Sequence, residues 1–171
     1  MGAPRRNRKK YNRPKHIWDA QRISNDNALI EEYGLKNMKE LWKIQTEVSR
    51  IRNNVKTILS GNGKEGMQEE IMSRLQKLGI AKEESTLENL LDLRDTAFLE
   101  RRLQTIVLRK GLAKTAKQAR QLIVHGFISI NGRKMNKPGY LVSTAEESGI
   151  DYYKPIQIVP NAKENTESTP A

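Results

Sequence analysis

The chain has no cysteine, only two histidines and few aromatic residues, and each shortage removes a class of function. Without Cys there is neither a disulfide framework nor a thiolate zinc site. His16 and His125 fall in separate segments, so no histidine-based metal centre is expected, and no cofactor. Aromatics make up 5% of the residues, too few for an open sheet that reads single strands by stacking. No run of about 18 apolar residues occurs, so no transmembrane helix is expected. The opening MGAPRRNRKKYNRPK lacks the apolar stretch of a secretory signal, and Arg6 stands where a myristoylation motif after Gly2 needs Ser or Thr. At 36% hydrophobic and 30% charged, the 171 residues read as a soluble, cytoplasmic protein with a modest core.

What the chain has in abundance is positive charge, a net +11, and it is unevenly placed. Residues 1–22 carry eight basic side chains against one acidic, residues 23–93 ten against twelve, residues 94–140 eleven against two, and residues 141–171 two against five. Two basic blocks flank a nearly neutral middle. Such a pattern favours an anionic partner, nucleic acid before membrane. The arm at 5–13 has charge but no amphipathic apolar face, so no membrane partner is expected.

Four segments follow from the pattern. Residues 1–22 form a basic arm; its stretch 1–15 has little to bury and is expected to be disordered alone, and Ile17, Trp18 and Ile23 tether its end to the body. Residues 23–93 read as a helical domain. Asp26 is placed to cap a short helix that stops near Gly34. Leu41, Ile44, Val48, Ile51, Val55 and Ile58 keep a three-four spacing on the next helix. That seam suits a dimeric coiled coil or, more simply, helices packed within the chain. Met67, Ile71, Leu75 and Leu78 stripe a third helix, and Ser85 with Glu88 forms a capping box for a fourth.

Residues 94–160 change character. Leu99, Leu103, Ile106 and Val107 stripe one helix, which ends near Gly111. Thr115 caps the next and pairs with Gln118 as a capping box, Ala116, Ala119, Leu122 and Ile123 face inward, and Gly126 stops it. Asn131-Gly132 between Phe127–Ile130 and Arg133–Met135 signals a two-residue hairpin. Pro138-Gly139 suits a type II turn, and 140–143 and 155–159 look like further short strands. The fold class is therefore α+β: a helical domain, then two helices packed on a short-stranded sheet with a hairpin. Residues 161–171 read as a disordered acidic tail.

The second of those helices leaves Lys114, Lys117, Gln118, Arg120, Gln121 and His125 outward, the preceding one Arg101, Arg102, Arg109 and Lys110, and the hairpin Asn131, Arg133 and Lys134 with Lys137 behind. Between 101 and 137 there are ten basic residues and no acidic one. Solubility alone would mix the signs. A rigid cationic corner suits a folded RNA, whose phosphates point in several directions and whose deep major groove resists side-chain reading. Arg5, Arg6, Arg8, Lys9, Lys10 and Arg13 of the arm would add phosphate contacts.

The string LERRLQTIVLRKGLAKTAKQARQLIVHGFISINGRKMNKPGYLV, above all RQLIVHGFISINGRKM followed by PGYLV, resembles the RNA-binding domain of the family of small-subunit ribosomal protein number four. The helical segment and basic arm resemble the same family, leaning to its archaeal type, over about residues 1–160. The resemblance implies binding to small-subunit rRNA at a multi-helix junction, with neighbouring small-subunit proteins and messenger RNA near the channel through which it enters, a part in subunit assembly and an influence on decoding accuracy. It implies that the residues named above on the helix pair and hairpin face RNA. Some members hold zinc or a cluster through N-terminal cysteines that this chain lacks. Rival readings are an assembly factor with the same domain and an RNA-modifying enzyme. The latter needs a catalytic domain for which 23–93 offers only plain helices, so neither an enzyme nor a small-molecule substrate is expected.

Overall fold

In the computed structural model of the chain, residues 9–64, 66–82 and 85–154 are described. The first helix, α1 (Ala20–Glu32), starts earlier than expected, because Asp19 and not Asp26 caps it: the Asp19 carboxylate accepts from the N–H groups of Gln21 and Arg22. Asp26 lies inside the helix and is buried. It pairs with Arg22 one turn back and accepts from Gln45 Nε2 at 3.2 Å, so it ties α1 to α2 (Met38–Leu59).

The three-four seam of α2 closes within the chain. Leu41, Val48, Ile51 and Val55 are buried against α1, α3 (Met67–Lys77), a 3-10 turn at Glu88–Asp92 and α4 (Asp95–Glu100). The capping box expected at Ser85 and Glu88 does not form. The Ser85 hydroxyl accepts from the Lys82 N–H instead, and the following turn is too short and tight to be an α-helix. Two core clusters result. Val48, Ile51, Val55, Leu75, Leu90, Leu93 and Phe98 form the larger, and Tyr33, Leu35, Leu41 and Leu99 the smaller.

The helix expected across Leu99 to Val107 is broken in two, with Arg101 and Arg102 between α4 and α5 (Leu103–Arg109). Backbone from far along the chain causes the break. The Leu103 N–H donates to Tyr140 O at 2.8 Å, the Val142 N–H donates to Arg101 O at 2.9 Å, and Arg102 bridges Leu141. The strand expected at 140–143 is reduced to that one bridge. Beyond it Ser143 and Glu146 form a reciprocal capping box for α7 (Thr144–Glu147). Gly139 has no positive φ, so the Pro138-Gly139 turn, closed by Tyr140 N–H to Lys137 O at 3.2 Å, is not type II.

The α+β organisation is as expected. Helices α5 and α6 (Ala116–Val124) pack over a three-stranded antiparallel sheet in the order β2 (Arg133–Met135), β1 (Ile128–Ile130), β3 (Ile150–Tyr152). The core between them is Leu103, Ile106, Val107, Ala119, Leu122, Ile123, Ile128, Ile130, Val142 and Ile150. Asn131 and Gly132 take φ of 49° and 75°, the left-handed pair that a two-residue hairpin turn needs. They set Ile130 opposite Arg133. The third strand comes from 150–152, and the strand expected at 155–159 lies outside the described residues.

The arm meets the body differently from expectation. Tyr11 stacks at a tilt on Trp42, with ring centroids 6.0 Å apart, and the Asn12 N–H donates to Thr46 Oγ1 at 2.9 Å. Ile17 and Trp18 tether nothing: they are 52% and 90% exposed. The two residues give opposite expectations on truncation. Phe98→Ala should lower unfolding free energy by about 3–5 kcal/mol. Trp18→Ala should change it by less than about 0.5 kcal/mol. Urea melts of the two variants check both.

Candidate nucleic-acid interface

Helix α6 presents exposed polar groups beside a groove. Thr115 Oγ1 accepts from the Gln118 N–H at 3.1 Å, but Gln118 Oε1 accepts from the Lys114 N–H at 2.8 Å, so the expected box is offset by one residue and the Gln118 side chain is tied to the backbone before the helix. With Ala119, Leu122 and Ile123 buried, Lys117, Gln121, Val124 and His125 are left outward. They line a groove whose other wall is the end of α1 and the loop after it, including Ile30, Leu35 and Lys36. At the far end of α6 the hairpin closes in. A Cβ at Gly126, φ 74°, would fall 2.0 Å from Lys134 Cε, so only glycine lets that lysine cross the helix terminus. Its ammonium is also favoured beside the negative end of the helix dipole.

A second groove runs between α2, α3 and the 136–141 segment. Ile44, Phe98, Pro138 and Leu141 supply its apolar lining and Lys10, Lys43 and Lys137 its cations, while Arg74 pairs with Glu47 at 2.6 Å and Glu40 also faces it. Arg120 lines both grooves, so they meet at that residue.

Arg120 is not free, however. Its guanidinium donates to both oxygens of Glu40, at 2.7 and 3.1 Å, while Arg102 Nη2 donates to Glu40 Oε2 at 2.8 Å. Gln104 sits beside them, accepting from Arg120 at 3.4 Å, with its amide nitrogen within hydrogen-bond distance of the Tyr33, Gly34 and Ala116 carbonyls. Gly34 permits this approach. A Cβ there would lie 2.7 Å from Ala116 Cβ, and φ is +58°. Burial pushes the Glu40 carboxyl up, but the hydrogen bonds and charges of Arg120 and Arg102 outweigh that and hold it below the usual carboxylate range.

The cations expected on the preceding helix are thus corrected. Arg102 is buried, and Arg101 is half-buried, pairing with Glu147 at 2.8 Å and donating to Val142 O. Arg109 is exposed but pairs with Glu100. Glu100 also accepts from the Tyr33 hydroxyl, which burial and that bond push up to about 12. Lys110 reaches the Ser148 and Ile150 carbonyls. Of the four, Arg102 and Arg101 are withdrawn from solvent, while Arg109 and Lys110 stay exposed. Asn131 serves the turn, its side chain against Gly149. Lys114, Lys117, Gln121, His125, Arg133, Lys134 and Lys137 are exposed, as are Lys9, Lys10 and Arg13, while Arg5, Arg6 and Arg8 lie outside the described residues. Lys36, Lys43 and Arg74 were not anticipated. They fall singly in the near-neutral middle, where composition gives no signal.

Residues 101–148 match the S4 domain. The small ribosomal subunit protein uS4 of Methanothermobacter thermautotrophicus is 46% identical, over 90% of this chain and 91% of its own length. Those of Methanococcus maripaludis and Methanococcus vannielii are 45% and 44% identical, each over 99% of this chain and 94% of their own. The chain belongs to the uS4 family. The leaning to the archaeal type holds, since these uS4 relatives are archaeal. Within this uS4 chain the S4 match begins at Arg101, where the helix breaks, and ends just beyond α7.

The Glu40 pairing makes a sharp expectation. Glu40→Ala strands a buried guanidinium and should cost about 3 kcal/mol at neutral pH. Because the folded pKa lies below the ordinary 4.5, the stabilisation is full above that value and fades as pH falls through the folded pKa. The stability gap between the parent chain and Glu40→Gln should therefore be open at pH 7 and shrink towards pH 3, measured by urea melts.

Proposed function

We propose that this chain is a structural constituent of the small ribosomal subunit, in the cytoplasm, that binds small-subunit rRNA through the cations of its two grooves. The observation that carries this reading is the series of exposed cations, Lys36 and Lys117 on one groove and Lys10, Lys43 and Lys137 on the other. No carboxylate among the described residues lies within ion-pair distance of any of them. Phosphates would supply the missing counter-charge. The relatives carry the name of a small ribosomal subunit protein, which supports the same assignment.

The finer reading extends this. The RNA element is a multi-helix junction, because cations drawn from the loop after α1, α2, α6 and the 136–141 segment suit phosphates on more than one helix. The chain helps nucleate subunit assembly, contributes to decoding accuracy and lies near incoming messenger RNA beside other small-subunit proteins. These finer roles rest on the family resemblance. Its working parts are the arm at 1–22, the helical domain at 23–93, the RNA-binding domain at 94–160 and the acidic tail at 161–171. The role is structural and not catalytic.

The combined variant Lys36→Gln, Lys117→Gln and Lys137→Gln should keep the parent circular dichroism and bind small-subunit rRNA more weakly. Each lost phosphate contact lowers the slope of log affinity against log salt by roughly one, so the slope should fall by about three. Parent-like affinity and slope in filter binding would reject the grooves as the contact surface. Retention on finished subunits through a high-salt wash, and not on precursor particles alone, separates a subunit constituent from an assembly factor.

A further inference from the structure

We propose that Trp18 is an RNA-stacking residue: it takes the face of one unpaired base of the bound small-subunit RNA. The proposal rests on the rRNA-binding reading above and adds to it a site of different chemistry, aromatic where the grooves are cationic.

Trp18 is 90% exposed in a chain with two tryptophans, and the other, Trp42, is half-buried beneath Tyr11. Its exposure is built into the backbone. On one side the Ile17 carbonyl accepts from Arg22 Nη2 at 2.9 Å, and on the other the Asp19 carboxylate caps α1 through the N–H groups of Gln21 and Arg22. Arg22 is itself held by buried Asp26. Further back, Asn12 and Tyr11 anchor the arm to α2. The indole is therefore carried on a turn pinned at both ends, and ordering it on binding costs little backbone entropy.

The neighbourhood chooses the partner. Residues 15–19 form a recess of their own, walled by Lys15, His16, Ile17, Trp18 and Asp19 and by no other element. From Lys9 to Trp18 there are four cations, Lys9, Lys10, Arg13 and Lys15, and no acid, and the only carboxylate beside the recess is engaged in the helix cap. The apolar surface is confined to Ile17 and Trp18, too small to form the core of a protein interface, which needs a patch of several hundred square ångströms. An exposed aromatic face flanked by cations fits a nucleotide, with the base on the indole and the phosphate on Arg13 or Lys15.

Titrating the Trp42→Phe chain, in which Trp18 is the sole tryptophan, with small-subunit rRNA should quench its fluorescence. In the full chain, Trp18→Leu should weaken rRNA binding roughly 10-fold, within the range that stacking on one base gives. Trp18→Phe should hold most of the affinity. The salt slope should be unchanged in both, because no phosphate contact is removed. Unquenched Trp18 fluorescence at saturation, or Trp18→Leu affinity equal to the parent's, would overturn the proposal. So would a Leu variant that binds RNA normally but no longer binds a small-subunit protein, since the residue would then belong to a protein contact. Failure of the parent chain itself to bind rRNA would instead overturn the underlying reading.

Discussion

One carboxylate holds the two halves of the molecule in register. Glu40, on α2, accepts from Arg102 at the start of α5 and from Arg120 on α6, and Gln104 fastens the same point to the end of α1. In a chain of net charge +11, this acid is spent inside, on two arginines, where it neutralises groups that would otherwise repel across the junction. A hydrophobic contact of the same size could stabilise the junction equally, but it would permit sliding. Charged hydrogen bonds of 2.7 to 3.1 Å to both carboxylate oxygens fix one arrangement. The bare Cα of Gly34, which lets Gln104 and Ala116 approach, belongs to the same constraint.

Seen from that junction, the basic block divides by chemistry. Of the ten cations between 101 and 137, the four ion-paired ones are Arg101, Arg102, Arg109 and Arg120, and every lysine lacks a carboxylate partner among the described residues. A guanidinium is planar, weakly hydrated and able to serve several acceptors, so it survives burial. An ammonium is compact and strongly hydrated and stays in water. Net charge therefore overstates the surface available to a polyanion, and lysine positions describe the proposed interface better than the sum of both residue types does.

The same distinction explains what was legible in the sequence. The seam of α2, the α6 cap at Thr115, the Asn131-Gly132 turn and the α+β order are local patterns, written within a few residues, and they appear where expected. The errors share another cause. The break at Arg101 and Arg102 is imposed by backbone some forty residues away, and the inward turn of Arg102 and Arg120 by Glu40, sixty and eighty positions distant. Helical spacing says which side of a helix a residue occupies. It does not say whether another element covers that side. For Asp26 and Trp18 the error ran both ways: a polar residue expected at a helix start is buried, and an apolar one expected inside is bare. In both cases Asp19, a better-placed cap, decided the geometry.

A single cationic helix would bind any polyanion, because its side chains can follow whatever phosphates approach. The proposed interface differs in drawing its cations from four places: the loop after α1, α2, α6 and the 136–141 segment. Their mutual distances are set by packing through Leu41 and Leu99 and by the Glu40 junction, not by one helix. A ligand must then present phosphates at matching distances from one another, which a folded junction does and an extended strand does not. Arg120 lines both grooves while bound to Glu40, so a ligand spanning them presses the two halves into the arrangement that the ion pairs already favour. Internal pairing and the proposed binding would thus favour one geometry, and Glu40, which itself lines the second groove, would serve it by holding Arg102 and Arg120 in place.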